Sequence, residues 1–264
     1  IIFKQMNSKI SLFFSLLFLI PAVLFAQQYN DGKKYVDTAT SMLWTGANFS
    51  YQLPVGALAE TFNGNFNIGT GFTYKTFHNW TWDLNFNYLF GSNIDDPSSV
   101  LGDIVNSNGD VIDGNGLKAT IYLEGRYWNL GVGVGKLIPV NRWKNSGIWI
   151  HTGFGFFRHK IHISDPDNQV PQLLGNYKKG YDQRSSGFCM SQFVGYLFMQ
   201  KRRVASFYAG VEITELWTKP DRNYIFVIGP TNNIPYKFSA LFGLKIGWIV
   251  PLYEKKKVTT FYKY

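Results

Sequence analysis

The sequence predicts an all-β protein: an eight-stranded, antiparallel, up-and-down transmembrane β-barrel with long extracellular loops. Three observations predict this fold. Bulky apolar residues alternate with small or polar residues along several segments, as in strands that face lipid on one side and a crowded lumen on the other. After Ala26 no apolar stretch is long enough for a spanning helix, so a membrane protein of this sequence would have to cross as a closed sheet. The connections between the alternating segments are also short and long in turn.

The composition excludes several other classes of protein. Of the 264 residues, 45% are hydrophobic and 18% aromatic, which is too apolar for a disordered chain. The single cysteine excludes an intrachain disulfide framework and a cysteine-rich zinc module. Stability must therefore come from burial or from lipid.

The first residues have the pattern of an export signal. Residues 1–26 are interpreted as a few upstream residues and a signal peptide, in which Lys9 precedes the apolar run 10–25 and cleavage follows Ala26. A membrane anchor helix is the alternative, disfavoured by the helix-breaking Pro21. We expect a periplasmic segment at 27–40, the barrel at 41–251, a basic and aromatic periplasmic tail at 252–264, and a location in the cell outer membrane.

Eight segments are predicted to be strands. Three alternate clearly: Asn65 to Phe77, Trp80 to Phe90 and Lys237 to Pro251. Five alternate more weakly: Leu43 to Leu53, Leu117 to Ile138, Ile148 to Phe156, Val194 to Phe198 and Phe207 to Ile213. In the clear segments the apolar face is aromatic and the other face carries Gly, Asn and Ser, whereas the inner faces of soluble sandwiches are usually rich in Val and Ile.

The links between these segments give an independent test. They are medium (Pro54 to Gly64), tight (His78 and Asn79), long (Gly91 to Gly116), short (Pro139 to Ser146), long (Ile163 to Ser185), tight (Gln200 to Arg203) and long (Lys219 to Tyr236). This alternation requires one unbroken strand across Glu124, Gly125 and Arg126. Both ends of the barrel then lie on the periplasmic side.

Five ionisable residues are predicted to point into the lumen, where we expect a polar network: Lys75, Asp83, His151, Glu212 and Lys245. An unpaired charge there would cost several kcal/mol, so these groups should pair and hydrogen-bond. The alternative is a proton or ion path, which the narrow lumen of eight strands disfavours.

No catalytic, cofactor or metal site is predicted. His159 and His162, three residues apart on a strand, point to opposite faces, and we interpret them as part of an exposed strand tip. Ser185, Ser186 and His159 would be the nearest catalytic residues of a lipid-modifying enzyme, but no nucleophile elbow surrounds them. Calcium binding by the acidic loop 92–116 stays open; its carboxylates are Asp95, Asp96, Asp103, Asp110 and Asp113.

The loop between the fifth and sixth strands is the candidate docking surface. It combines apolar and basic residues: Leu173, Leu174, Tyr177, Lys178, Lys179 and Tyr181. Apolar side chains in a surface loop suggest contact with a partner, or else folding back over the barrel mouth. The partners we expect are outer-membrane lipids, including lipopolysaccharide, and other outer-membrane proteins, but not nucleic acid.

Two further residue sets are assigned to the rims. A basic set is placed at the periplasmic rim, for anchoring or for contact with anionic headgroups: Arg142, Lys144, Lys201, Arg202, Arg203, Lys255, Lys256 and Lys257. Six tryptophans are either interfacial girdle residues or core residues: Trp80, Trp128, Trp143, Trp149, Trp217 and Trp248. Cys189 is interpreted as a small buried residue.

Several short motifs resemble a family of small outer-membrane β-barrels of Bacteroidetes-type bacteria. They are Phe25-Ala26-Gln27, Leu53-Pro54-Val55-Gly56 with Leu58, Asn145-Ser146-Gly147, Val170-Pro171-Gln172-Leu173, Tyr177-Lys178-Lys179-Gly180-Tyr181-Asp182, Gly247-Trp248 with Pro251 and Tyr253, and Phe261-Tyr262-Lys263-Tyr264. The resemblance implies an integral outer-membrane protein without an assigned enzymatic role. It also implies a structural or accessory role, as a subunit or docking partner in a larger secretion or barrel-assembly complex. A lipid-modifying enzyme and a narrow channel are the alternatives.

Overall fold

The computed structural model describes residues 39–94, 98–140, 144–199 and 206–252. Ten strands lie in these ranges: β1 (Met42–Gly56), β2 (Asn65–Lys75), β3 (Trp80–Asn93), β4 (Tyr122–Pro139), β5 (Gly147–Ser164), β6 (Ser185–Phe198), β7 (Ser206–Pro220), β8 (Tyr224–Ile225), β9 (Gly229–Pro230) and β10 (Lys237–Leu252). Eight of them close into a barrel in the order β1-β10-β7-β6-β5-β4-β3-β2. The predicted eight-stranded antiparallel barrel is therefore confirmed, and β8 and β9 form only a small hairpin within the link between β7 and β10.

Closure is complete because the first and last strands of the barrel pair along their whole length. Their register runs from Leu43 opposite Leu252 to Gly56 opposite Ser239. The described ladder shifts register between Leu89 and Ser92 on β3, where the strand bends outward to the long link. A closed ladder satisfies the backbone donors and acceptors of every strand and leaves no exposed edge.

The strands extend further than the alternation predicts. β5 runs to Ser164 rather than Phe156, β6 begins at Ser185 rather than Val194, and β7 reaches Pro220 rather than Ile213. In these extensions the outward positions are basic instead of apolar, so the contrast between the two faces is lost from the sequence although the hydrogen-bonded ladder continues. The single strand across Glu124 to Arg126 is confirmed, but its predicted start at Leu117 is wrong, because the residues before Tyr122 bridge to their own loop instead.

The long links lie at one end of the barrel and carry little regular structure. They contain a single helical turn at Ser98–Leu101 and 3-10 turns at Pro171–Leu173 and Tyr177–Gly180, and a further 3-10 turn, Ala57–Glu60, follows β1 at the same end. Within the described residues, no helix combines the length and the hydropathy that crossing a bilayer would need.

The outside of the barrel is apolar and the inside is layered. Outward side chains such as Phe72, Trp82 and Trp248 are more than half exposed, which confirms the predicted orientation of the aromatic face. Among the six tryptophans, Trp80, Trp217 and Trp248 are exposed on the outside, whereas Trp149 points inward and is only 7% exposed. Trp143 lies outside the described residues.

Three layers fill the lumen. At the short-link end the buried apolar residues include Met42, Trp44, Leu137, Trp149, Phe193 and Leu197. At the long-link end a larger cluster joins strand residues such as Tyr127 and Phe157 to loop residues such as Val100, Leu101 and Leu173. Polar side chains occupy the space between, as expected for a barrel just wide enough for side chains to fill.

Candidate functional site

The middle of the lumen contains a cavity of about 80 Å³, lined mainly by polar side chains. Four of the five predicted lumen residues line it: Asp83, His151, Glu212 and Lys245. Each comes from an inward position of a different strand, since period two directs every second residue to the lumen. The fifth residue, Lys75, lies elsewhere.

The first ion pair of this layer joins His151 on β5 to Asp83 on β3. The Nε2 atom of His151 contacts the Oδ2 atom of Asp83 across the inward face of β4. This contact is possible because Gly133 occupies that face: a Cβ atom at Gly133 would lie 2.3 Å from the Nε2 atom of His151. Asn85 donates a hydrogen bond of 2.7 Å to the other carboxylate oxygen, so Asp83 has two partners.

The second ion pair joins Lys245 on β10 to Glu212 on β7. The Nζ atom donates to the Oε1 atom of Glu212 at 2.6 Å, and the side chain of Gln52 on β1 donates to the Oε2 atom at 3.1 Å. Both ionised side chains are largely buried. Each carboxylate oxygen therefore has a donor, which is what makes a buried ion pair tolerable.

Lys75 serves a different place, at the short-link end of the barrel. Its side chain is fully buried, and its Nζ atom donates to the backbone oxygen of Thr40 at 2.9 Å and to the Oδ1 atom of Asn145 at 3.0 Å. It thus ties the segment before β1 to the link between β4 and β5. The network expected from the sequence is two ion pairs in the middle layer and a separate clamp at one end.

The two ion pairs are neutral as a unit and are enclosed by apolar layers on both sides. An ion crossing the lumen would have to pass the packed rings of Trp44 and Trp149 at one end and of Tyr127 and Phe157 at the other. The described residues provide no polar path across either apolar layer, so this arrangement does not favour conduction.

The residues considered for a lipid-modifying enzyme do not form a catalytic arrangement. His159 and Ser185 are cross-strand partners, but the Ser185 hydroxyl donates to the backbone oxygen of Gln183 and the Ser186 hydroxyl donates to Asp221. The imidazole of His159 packs instead against the rings of Phe62, Tyr127 and Phe157. The interpretation of His159 as part of an exposed strand tip is wrong, because the loops cover this part of β5 and leave the residue only 9% exposed.

The candidate metal ligands lie apart from one another in the described part of the chain, where no three His, Cys, Asp or Glu side chains form a cluster. In the acidic loop, Asp110 pairs with Lys118 at 2.6 Å, and Asp113 accepts hydrogen bonds from the backbone of Asn115 and Leu117. Asp95 and Asp96 lie outside the described residues.

The candidate docking loop divides its apolar residues between two roles. Leu173 and Tyr181 fold back and join the apolar cluster under the loops. Leu174, Tyr177 and Lys179 project into solvent, and Tyr177 is 68% exposed. Each of the two alternatives left open by the sequence therefore applies to part of the loop.

The link between β7 and β10 adds an apolar surface that the sequence analysis missed. Its tip exposes Tyr224, Val227 and Ile228, while Phe226 stacks on Tyr181 with the ring centroids 4.8 Å apart. The backbone nitrogen of Phe226 also donates to the oxygen of Gly180 at 3.0 Å. The apolar run from Tyr224 to Ile228, set between polar turn residues, was the signal in the sequence.

An ion pair fastens these two loops together. The guanidinium of Arg222 donates to both carboxylate oxygens of Asp182, at 3.1 and 2.5 Å. These hydrogen bonds raise the pKa of Arg222 above its usual value. We call the exposed residues of the fastened pair the loop surface: Leu174, Tyr177, Lys179, Tyr224, Val227 and Ile228.

Basic residues also gather at the long-link end, opposite to the rim assigned from the sequence. Of that basic set, only Lys144 is described, exposed in the link between β4 and β5. The structure instead shows cations on the outer wall near the long links: Arg126 on β4, Arg158 and Lys160 on β5, Arg184 before β6 and Lys219 on β7. Sequence reasoning missed this group because it ended β5 and β7 too early.

No family model and no curated protein matches the chain. Among solved structures, it is similar to Neisserial surface protein A at 10% identity and a TM-score of 0.44, covering 79% of this chain and 97% of that one. It is also similar to Ail, the attachment invasion locus protein of Yersinia pestis, at 10% identity and a TM-score of 0.40, with 80% and 99% covered. A third is the N-terminal β-barrel domain of Pseudomonas aeruginosa OprF, at 9% identity and a TM-score of 0.35, with 79% and 100% covered.

Proposed function

We propose that this protein is an integral outer-membrane β-barrel that acts as an accessory subunit, docking onto another envelope protein through its loop surface. The closed and filled barrel is the membrane scaffold, and the long links face outward from the cell. The observation that carries the proposal is the pairing of the fifth-to-sixth and seventh-to-last strand links into one ordered, apolar surface.

The membrane placement is supported by the outer wall of the barrel. Every barrel strand exposes large apolar side chains at its outward positions, for example Ile68, Leu84, Val132, Phe154 and Leu244. A continuous apolar surface of this kind marks contact with a membrane or a partner, because soluble monomers rarely expose patches beyond a few hundred Å².

The docking role is supported by how the loop surface is held. The ring of Phe226, the hydrogen bond to Gly180 and the Arg222 to Asp182 ion pair keep the apolar side chains in place before any partner arrives. A preordered surface loses less conformational entropy on binding. Tyr177 and Tyr224 are the side chains best suited as anchors, since Tyr is enriched among residues that dominate interface energy.

The test is purification of complexes from native membranes in mild detergent, with the wild-type chain compared with Tyr177→Ser/Tyr224→Ser. We expect a defined envelope protein to co-purify with wild type. The double substitution should weaken this association about 30-fold, the effect of losing roughly 2 kcal/mol at an interface anchor.

The matched control is Leu117→Ser/Tyr122→Ser, which removes two exposed apolar side chains from the first long link and the start of β4. This control should retain the partner. If the wild-type chain comes through mild extraction with no stoichiometric partner, or if both double variants lose it equally, the accessory role is refuted.

A further inference from the structure

The cations at the long-link end form a continuous band on the outer wall of β4 to β7, which we call the cation band: Arg126, Arg158, Lys160, Arg184 and Lys219. Register links its members: Arg126 lies opposite Lys160, while Ser186, on the strand that Arg184 precedes, lies opposite both Arg158 and Lys219. All four strands contribute, so the band exists only in the folded barrel.

The band lies directly beyond a row of outward aromatic side chains: Trp128, Phe156, Phe188 and Trp217. The guanidinium carbon of Arg158 is 5.6 Å from the ring centroid of Trp128 and 5.5 Å from that of Phe156. Rows of aromatic residues mark the level where hydrocarbon meets headgroups in outer-membrane barrels. The cations thus lie at headgroup level, on the same side of the membrane as the long links.

The band carries more positive charge than its own carboxylates neutralise. Asp221 is shared between Arg158 at 3.4 Å and Arg184 at 3.2 Å, and Glu124 lies 3.6 Å from Arg126. Among the described residues, no carboxylate lies within 4 Å of Lys160 or Lys219. Glu215 is the other outward carboxylate of these strands, in the aromatic row beside Trp217.

The band is also one-sided. The outward positions of β1, β2 and β3 carry no Lys or Arg, and Lys75 on β2 is buried inside the barrel. A generic attraction to the surface charge of a membrane would not require this asymmetry. A ligand of limited size that binds at one position on the wall would.

We propose that the cation band binds the phosphate groups of a phosphorylated glycolipid of lipid A type in the outer leaflet. Arg presents a planar fork that matches phosphate oxygens, and Lys160 and Lys219 supply unpaired positive charge. The acyl chains then lie on the aromatic row, where Phe188 is 68% exposed. This inference rests on the membrane placement proposed above.

The test is titration of the purified chain in neutral detergent micelles with lipid A that carries two phosphates, and Kd is measured by native mass spectrometry. Wild type is compared with Lys160→Gln/Lys219→Gln and with Arg158→Gln. Each variant should bind about tenfold more weakly, as expected for the loss of one or two charge-assisted contacts. The lysine variant removes exposed, unpaired groups and therefore keeps the fold intact.

The matched control is Lys118→Gln/Lys136→Gln, which removes the same charge outside the band and should bind like wild type. Dephosphorylated lipid A should bind wild type and all variants equally weakly, and neither phosphatidylglycerol nor inorganic phosphate should compete. Equal losses in the band and control variants, or equal affinity for phosphatidylglycerol, would overturn the proposal.

The failure of this inference can be told apart from the failure of the membrane placement. Insertion into lipid vesicles is measured separately, through quenching of tryptophan fluorescence by brominated lipid. A chain that inserts but does not discriminate between the lipids refutes the glycolipid site alone. A chain that does not insert refutes the placement itself.

Discussion

At the scale of single residues, the lumen shows how a narrow barrel tolerates ionised side chains. Lys245 and Glu212 lie 2.6 Å apart on neighbouring strands, and Gln52 supplies a donor to the remaining carboxylate oxygen. The pair itself adds little net stability, because desolvation offsets the attraction of the two charges. Its removal on one side only is what costs free energy, since the other charge is then buried alone.

Replacing Lys245 by Met should therefore lower the free energy of unfolding by about 3–5 kcal/mol, the usual cost of an uncompensated buried charge. The double substitution Glu212→Gln/Lys245→Met should recover most of that loss. Urea unfolding of the refolded barrel in lipid vesicles measures both. If the double variant is as unstable as the sum of the single changes, the two residues do not act as a pair.

At the scale of elements, glycines decide which side chains can meet across the lumen. On β4, Gly133 leaves the space in which His151 of β5 reaches Asp83 of β3. Its neighbour Gly131 is less restrictive, because the nearest atom to a Cβ built there is the backbone oxygen of Phe154 at 3.0 Å. The strand is thus adapted at one position to a contact between two other strands.

Gly133→Ala should displace His151 and cost about 1–3 kcal/mol through overpacking, as measured by urea unfolding. Gly131→Ala is the control on the same face of the same strand and should cost clearly less. Equal effects of the two substitutions would show that the clash with His151 is not the cause.

The loops provide a second case at this scale, because Phe226 joins two links that are distant in sequence. Phe226→Ala removes the ring contact with Tyr181 and should loosen both links without unfolding the barrel. We expect proteolytic cleavage within residues 165–184 to become about tenfold faster, while urea unfolding of the barrel is unchanged. Val227→Ala, which removes a neighbouring exposed side chain, should leave the cleavage rate as in wild type.

At the scale of the whole molecule, the barrel is apolar outside and polar only in the middle of its interior. Trp82 and Trp248 face outward, whereas Trp44 and Trp149 are packed edge to face inside the barrel. In a membrane the two groups would meet different surroundings, although all four belong to one sheet.

Brominated lipids should therefore quench the outward tryptophans and spare the inward ones. Trp82→Phe should reduce the quenchable part of the fluorescence, by about one eighth if the chain's 8 tryptophans emit equally. Trp149→Phe should leave the quenched intensity unchanged while lowering the unquenched remainder. Equal effects of the two changes would contradict the assignment of inside and outside.

Much of this architecture could be predicted from the sequence, because alternation and link length are local properties of the chain. Period two assigned Asp83, His151, Glu212 and Lys245 to the lumen, and the alternation of short and long links required an even number of strands. The predictions failed where outward residues changed from aromatic to basic, as at Arg158 and Lys160, since the contrast between the faces ends there although the ladder does not.

By itself, the sequence determined which side chains face out, how many strands there are and at which end the long links lie, since each follows from periods and spacings along the chain. Only the tertiary structure decided which inward charges pair, which loop residues fold back and where the cations meet. Those outcomes depend on register between strands far apart in sequence, and the hydrogen bonds that set register form between backbone groups common to all residues.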